Sequence, residues 1–216
     1  MKGLIQNNLF ATYSNVKVFS IFMVLSGVFV IAIANQSLLF GYMLLGMIGF
    51  PVNALASIKN EYASKWGKYK LTLPVKRSDI IKSYYLNQII WILVGILFAA
   101  IGMGLSWILH GCPFDNQIDI FPMLALGISI SLFTVAVFYT LFYLGGAERS
   151  EVFIVISLLI AVGIDLAIVA IINELELFDR GTPNILLGSA ILIACSVLTF
   201  CISHPITVRI FRRKEF

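Results

Sequence analysis

Long apolar runs separated by short polar segments set the plan of this chain. Residues 18 to 58, 83 to 114, 120 to 147 and 181 to 208 hold no Asp, Glu, Lys or Arg, and 152 to 173 hold only Asp165. A helix crosses a hydrocarbon core in about 20 residues, so the four shorter runs predict one span each. The first run is long enough for two, and polar Asn35-Gln36-Ser37 marks a tight turn between them. The pattern therefore predicts an all-α membrane protein with six transmembrane helices, near 18–34, 38–57, 86–109, 120–144, 152–172 and 183–205.

Two of the polar segments carry a period of their own. Between Lys2 and Lys17, Ile5, Leu9, Tyr13 and Val16 fall on one helical stripe, with Asn7, Asn8, Ser14 and Asn15 opposite. This predicts an amphipathic helix over 1–17 lying in the membrane interface, although a plain juxtamembrane anchor has the same pattern. The longest polar stretch, 58–84, is not a featureless tether. Tyr62, Trp66, Tyr69 and Leu73 are spaced i, i+4, i+7, i+11, and Glu61 and Lys65 are an i, i+4 pair, so a short helix here presents an aromatic stripe. Pro74 ends it, because proline lacks the amide donor and disfavours helix in the residue before it. Such a helix either rests its aromatics at the headgroup level or offers them to a soluble partner.

Composition agrees with the pattern and excludes a soluble domain, since 60% of the residues are hydrophobic and only 12% are charged. The net charge of +4 gives topology. With six spans, both termini and the second and fourth loops share one side, and of the 15 Lys and Arg residues all but Arg180 fall there. Lys and Arg are retained on the cytoplasmic side of short loops, so both termini are expected in the cytoplasm. The basic balance is thus accounted for without nucleic acid. The opening Met1-Lys2-Gly3, followed by polar Gln6, Asn7 and Asn8, lacks the ordered regions of a signal peptide, and none is expected.

Candidate chemistry is sparse. Cys195 and Cys201 are about 9 Å apart along a helix axis and on different faces, Cys112 lies in an outer loop, and His110 and His204 end different spans. No disulfide framework or metal site is expected. No phosphate-cradling G-x-x-x-x-G-K-[ST], H-E-x-x-H or G-x-S-x-G occurs. The chain is not expected to be an enzyme or to bind a cofactor, and any chemical energy must come from a partner. Asp165, near the middle of the fifth span, is costly in lipid and is the candidate residue of a translocation path. Its alternatives are a neutral carboxyl hydrogen-bonded to a neighbour, or a carboxyl facing a polar cavity. A proton-coupled secondary transporter could use it, whereas a membrane enzyme would need further catalytic groups that the spans lack. Asn87-Gln88 and Ser129-Ser131-Thr134 read as interhelical hydrogen-bond glue.

Glu61 followed by Lys65-Trp66 and then by Leu71-Thr72-Leu73-Pro74-Val75-Lys76-Arg77-Ser78-Asp79-Ile80-Ile81 resembles the signature of ABC type-2 transporter permeases. Met1-Lys2-Gly3-Leu4-Ile5 resembles that family's amphipathic N-terminal helix, and the six-span layout extends the likeness along the chain. The short bacterial permeases that export phenol-soluble modulins or confer peptide-antibiotic resistance are the most similar kind. One departure is Tyr84-Tyr85, where the family usually has a lysine before the third span. The resemblance implies a multi-pass permease of the bacterial cytoplasmic membrane. Two copies, or a copy and a paralogue, would pair, and each would dock a separate ATP-binding subunit that carries ATP and Mg. Glu61, Tyr62, Lys65, Trp66, Tyr69 and Pro74 would form the coupling helix that the ATPase moves, with the first and fifth spans lining the path. Amphipathic or antimicrobial peptides are the implied cargo, with lipid or drug export as the alternative, and membrane lipid surrounds the whole.

Overall fold

The computed structural model describes residues 2–33, 35–63, 76–111, 114, 117–174 and 182–213. Among these residues there are six long helices and no strand: α1 (Lys2–Ile33), α2 (Gln36–Ala63), α3 (Arg77–His110), α4 (Ile120–Gly145), α5 (Ser150–Glu174) and α6 (Thr182–Arg213). Single 3-10 turns at Gln117–Asp119 and Ala147–Arg149 lead into α4 and α5. Each helix is long and apolar enough to cross a membrane. Lipid offers no hydrogen bonds, so a spanning backbone must pair its own amides and carbonyls, and the helix does this within one segment.

The turns form where the chemistry allows them. The side-chain oxygen of Asn35 accepts hydrogen bonds from the amides of Ser37 (2.9 Å) and Leu38 (3.4 Å), capping the start of α2 where the sequence marks a break. Gly111 (φ 84°) and Gly146 (φ 91°) end α3 and α4 in the left-handed region, with their amides bonded to Trp107 and Phe142 carbonyls.

The helices overrun the expected spans. At 1.5 Å per residue, the 34 residues of α3 reach about 50 Å, well beyond a hydrocarbon core of about 30 Å. α3 starts at Arg77 rather than near 86, and α6 continues through Pro205 to Arg213. Hydropathy registers only the lipid-exposed length, whereas Ile80, Ile81, Ser83, Tyr84 and Tyr85 extend α3 by packing inside the protein.

The N-terminal segment leads straight into the first span, since α1 runs unbroken for 32 residues, but its faces differ from the expectation. Its buried stripe is Leu4, Asn8, Thr12 and Val16, while Tyr13 is exposed. Polar residues turn inward here because hydroxyl and amide partners stand opposite: Asn8 Nδ2 donates to Ser83 Oγ (3.0 Å), and the Thr12 and Ser57 hydroxyls are 3.1 Å apart. Lipid rewards burial of polar groups that pair, not of apolar ones.

Two cores hold the bundle. Met23, Met43, Met47, Phe50, Trp91 and Ala99 fill the space between α1, α2 and α3. At the end of the bundle rich in Lys and Arg, Tyr84, Tyr85, Phe138, Tyr139, Phe142 and Phe211 join α3, α4 and α6. α2 and α3 cross at Gly46 and Gly95, where a Cβ on Gly95 would meet the Gly46 carbonyl oxygen at 2.7 Å. Pro51 lies within α2 and removes the amide that would bond the Met47 carbonyl. Ser131 of α4 donates to that carbonyl at 2.8 Å, so a neighbouring helix supplies the missing donor.

Candidate functional site

The basic end of the bundle gathers the residues that flank segment 64–75. Glu61, in the last turn of α2, is 7% exposed, and the Tyr84 hydroxyl of α3 donates to its Oε1 at 2.6 Å. Tyr139 of α4 donates in turn to the Tyr84 carbonyl at 3.3 Å. Lys59 pairs with Glu151 at the start of α5 (2.5 Å), and Arg77 Nη1 bonds the Arg212 carbonyl of α6 (3.3 Å). The two ends of that segment are thereby tied to α3, α4, α5 and α6. Both partners of the Lys59 pair are largely exposed, so water screens it and it adds little stability. Lys65, Trp66, Tyr69, Pro74 and the side chain of Tyr62 lie outside the described residues.

Tyr85 is the second organiser of this end. Its hydroxyl lies 2.8 Å from the Ser203 hydroxyl and 3.0 Å from that of Thr207, while its ring stacks on Tyr139 and meets Phe200 and His204 edge-on. Ser203 also donates to the Ala136 carbonyl at 2.7 Å, so one tyrosine links α3 to α6 and, through Ser203, to α4. In the sequence Tyr84-Tyr85 stands out only as a departure from a family lysine. The available signal was Ser203 and Thr207, an i, i+4 pair of hydroxyls near the end of the sixth span.

Asp165 lies between α5 and α4. Its residue is 2% exposed and its carboxyl lies against Ser129. The Ser129 hydroxyl is committed to the Leu126 carbonyl at 3.0 Å, and neither carboxyl oxygen has a hydrogen-bond partner among the described residues. In this chain Asp165 does not stand on the open face of α5, which carries Val152, Val155, Leu159 and Leu166. A cleft of about 310 Å³ continues along its helix face past Val169, Ile172 and Asn173, between Leu126 of α4 and Leu192 of α6.

The polar spots assigned as glue divide. Ser131 bridges to Met47, and Asn87 reaches Thr12 at 3.4 Å, but Thr134 bonds within its own helix to Ile130. Gln88 is fully buried with neither side-chain atom paired among the described residues. No three His, Cys, Asp or Glu side chains converge there to hold a metal.

Six apolar helices, with Glu61 and Arg77 bonded to neighbouring helices at one end, have the build of a multi-pass membrane domain. Comparison with known proteins agrees. No curated protein and no solved structure matches the chain, but the family model described as ABC-2 family transporter protein matches residues 3–212. That match covers nearly the whole chain, which therefore belongs to the ABC-2 family as the membrane permease of an ABC transporter, a kind of protein that works with an ATP-binding subunit.

Proposed function

We propose that this permease is the membrane half of an ATP-driven exporter of amphipathic or antimicrobial peptides. It sits in the bacterial cytoplasmic membrane with both termini and segment 64–75 in the cytoplasm, and works with a second permease copy. ATP and Mg bind the partner ATPase, and this chain hydrolyses nothing itself. The ATPase docks on the aromatic stripe of Tyr62, Trp66 and Tyr69, flanked by Glu61 and Lys65. The observation that carries the coupling part of this reading is the bond from Tyr84 to Glu61: a buried anchor in the last turn of α2 makes a push on the loop a push on α2 and α3 together. A loose tether would dissipate such a push.

The test is co-expression with an ABC ATPase encoded beside the chain. Trp66→Ala should lower ATPase capture or uncouple transport while the chain still inserts, and the purified chain alone should not hydrolyse ATP. Capture and transport at the parent level by Trp66→Ala would end the coupling assignment. The unbonded carboxyl of Asp165 favours a second reading, proton-coupled transport without an ATPase. Uptake driven by a pH gradient in vesicles holding this chain alone would decide for it.

A further inference from the structure

α3 and α6 run antiparallel at the basic end, and a groove follows them both. On α3 its wall steps through Ser78, Lys82 and Leu86, and on α6 through Arg212, Arg209, His204 and Cys201. The 11 residue steps from Cys201 to Arg212 span about 16 Å along the helix. Its outer part is a hollow of about 530 Å³ with Arg209, Arg212 and Arg213 around it. Its inner part, about 240 Å³, is floored by Leu86, Phe200 and Cys201, with Lys82 at the rim. His204 borders both parts, and its Nε2 is buried with no hydrogen-bond partner among the described residues.

Arginines in the last turn of a helix suit its dipole, and basic residues suit one side of a membrane, so the charge by itself needs no ligand. The walls are what the charge does not account for. A basic hollow and an apolar trough that meet at His204, near the charged ends of two spanning helices, match the layout of a phospholipid: charged head outward, chains inward. The three arginines are exposed, so their guanidinium groups can turn toward an anion in the hollow that they line. Arginine forks match phosphate oxygens, and basic pockets between spanning helices bind anionic headgroups.

We infer that this groove between α3 and α6 is a binding site for the phosphate headgroup of an anionic phospholipid, with the acyl chains along Leu86, Phe200 and Cys201. It depends on the membrane-spanning fold and not on the peptide-export reading. The lipid braces the start of α3, the helix that follows segment 64–75.

The experiment uses the full chain purified in a neutral detergent and titrated with short-chain phosphatidylglycerol, short-chain phosphatidylcholine or inorganic phosphate, with bound lipid read by native mass spectrometry. Phosphatidylglycerol should bind in a small fixed number and survive washing, and phosphatidylcholine should not. Arg209→Gln with Arg212→Gln should weaken it about 30-fold, about 2 kcal/mol at 1.4 kcal/mol per tenfold. Arg149→Gln, which removes an exposed charge at the same end but outside the groove, should leave binding unchanged. Since Arg209 and Arg212 are exposed, their replacement empties no core, and Lys82→Gln alone gives a second, milder variant expected to weaken binding several-fold. Equal binding of both lipids, or equal losses in Arg149→Gln and the double variant, would overturn the site. Inorganic phosphate competing as well as the lipid would make the ligand a soluble anion. Loss of ATPase capture with lipid binding intact would make the groove a protein contact, and either result refutes the inference.

Discussion

Replacing Ser131 tests how this bundle tolerates a proline in a spanning helix. Pro51 leaves the Met47 carbonyl without its helical amide, and the Ser131 hydroxyl donates to it at 2.8 Å. The same hydroxyl lies 2.7 Å from the Gly127 carbonyl, so one proton serves two acceptors, of which only Met47 lacks a helical donor. The site is closed, with Ser131 at 1% and Met47 at 0% exposure. Interhelical hydrogen bonds in membrane proteins average about 0.6 kcal/mol, while a buried carbonyl left without any donor costs about 1–3 kcal/mol. Sharing of the proton places Ser131→Ala near the low end, about 1 to 1.5 kcal/mol destabilising. Pro51→Ala returns an amide to the Met47 carbonyl, and in that background Ser131→Ala should cost less than about 0.5 kcal/mol. The difference is a coupling of about 0.5–1.5 kcal/mol, measurable as a double-mutant cycle by reversible unfolding in mixed micelles followed by circular dichroism. If Ser131→Ala costs the same with and without Pro51, the hydroxyl is not serving the carbonyl that proline frees, and the reasoning fails.

Gly95→Ala should destabilise by about 1–3 kcal/mol, because its new methyl would sit 2.7 Å from the Gly46 carbonyl oxygen and 3.0 Å from Met47 Cα, both backbone. Gly104→Ala on the same helix meets nothing within 4 Å and should be neutral or slightly stabilising; equal melting temperatures for the two variants would dissolve the claim of a tight crossing. Tyr85→Phe keeps the ring stack but loses the hydroxyl shared with Ser203 and Thr207, for an expected loss of about 1 kcal/mol in the same unfolding assay; no change would mean that Ser203 and Thr207 suffice without it. Asp165→Leu removes a buried carboxyl that has no described hydrogen-bond partner, so melting temperature should hold or rise while export falls. A sharp drop in stability with export intact would leave Asp165 a packing residue only.

The six helices and the places where the chain turns were written in the sequence itself. A charged side chain and an unpaired amide are both too costly in hydrocarbon, so charge-free runs and breakers such as Asn35 reveal spans without knowledge of any neighbour. Which side of each helix faces the protein was not legible there. The sequence set Asn8 against the apolar stripe of α1, yet Asn8 and Thr12 point into the bundle, where Ser83 and Ser57 answer them. Nor did it show that Tyr84 would hold Glu61, that Ser131 would satisfy Met47, or that Asp165 would lie against Ser129 without a bond. In water an apolar face declares itself by leaving the solvent. In lipid both faces of a helix are equally apolar, and the choice falls to small residues, hydroxyls and amides whose partners lie on other helices, which only the tertiary packing brings together.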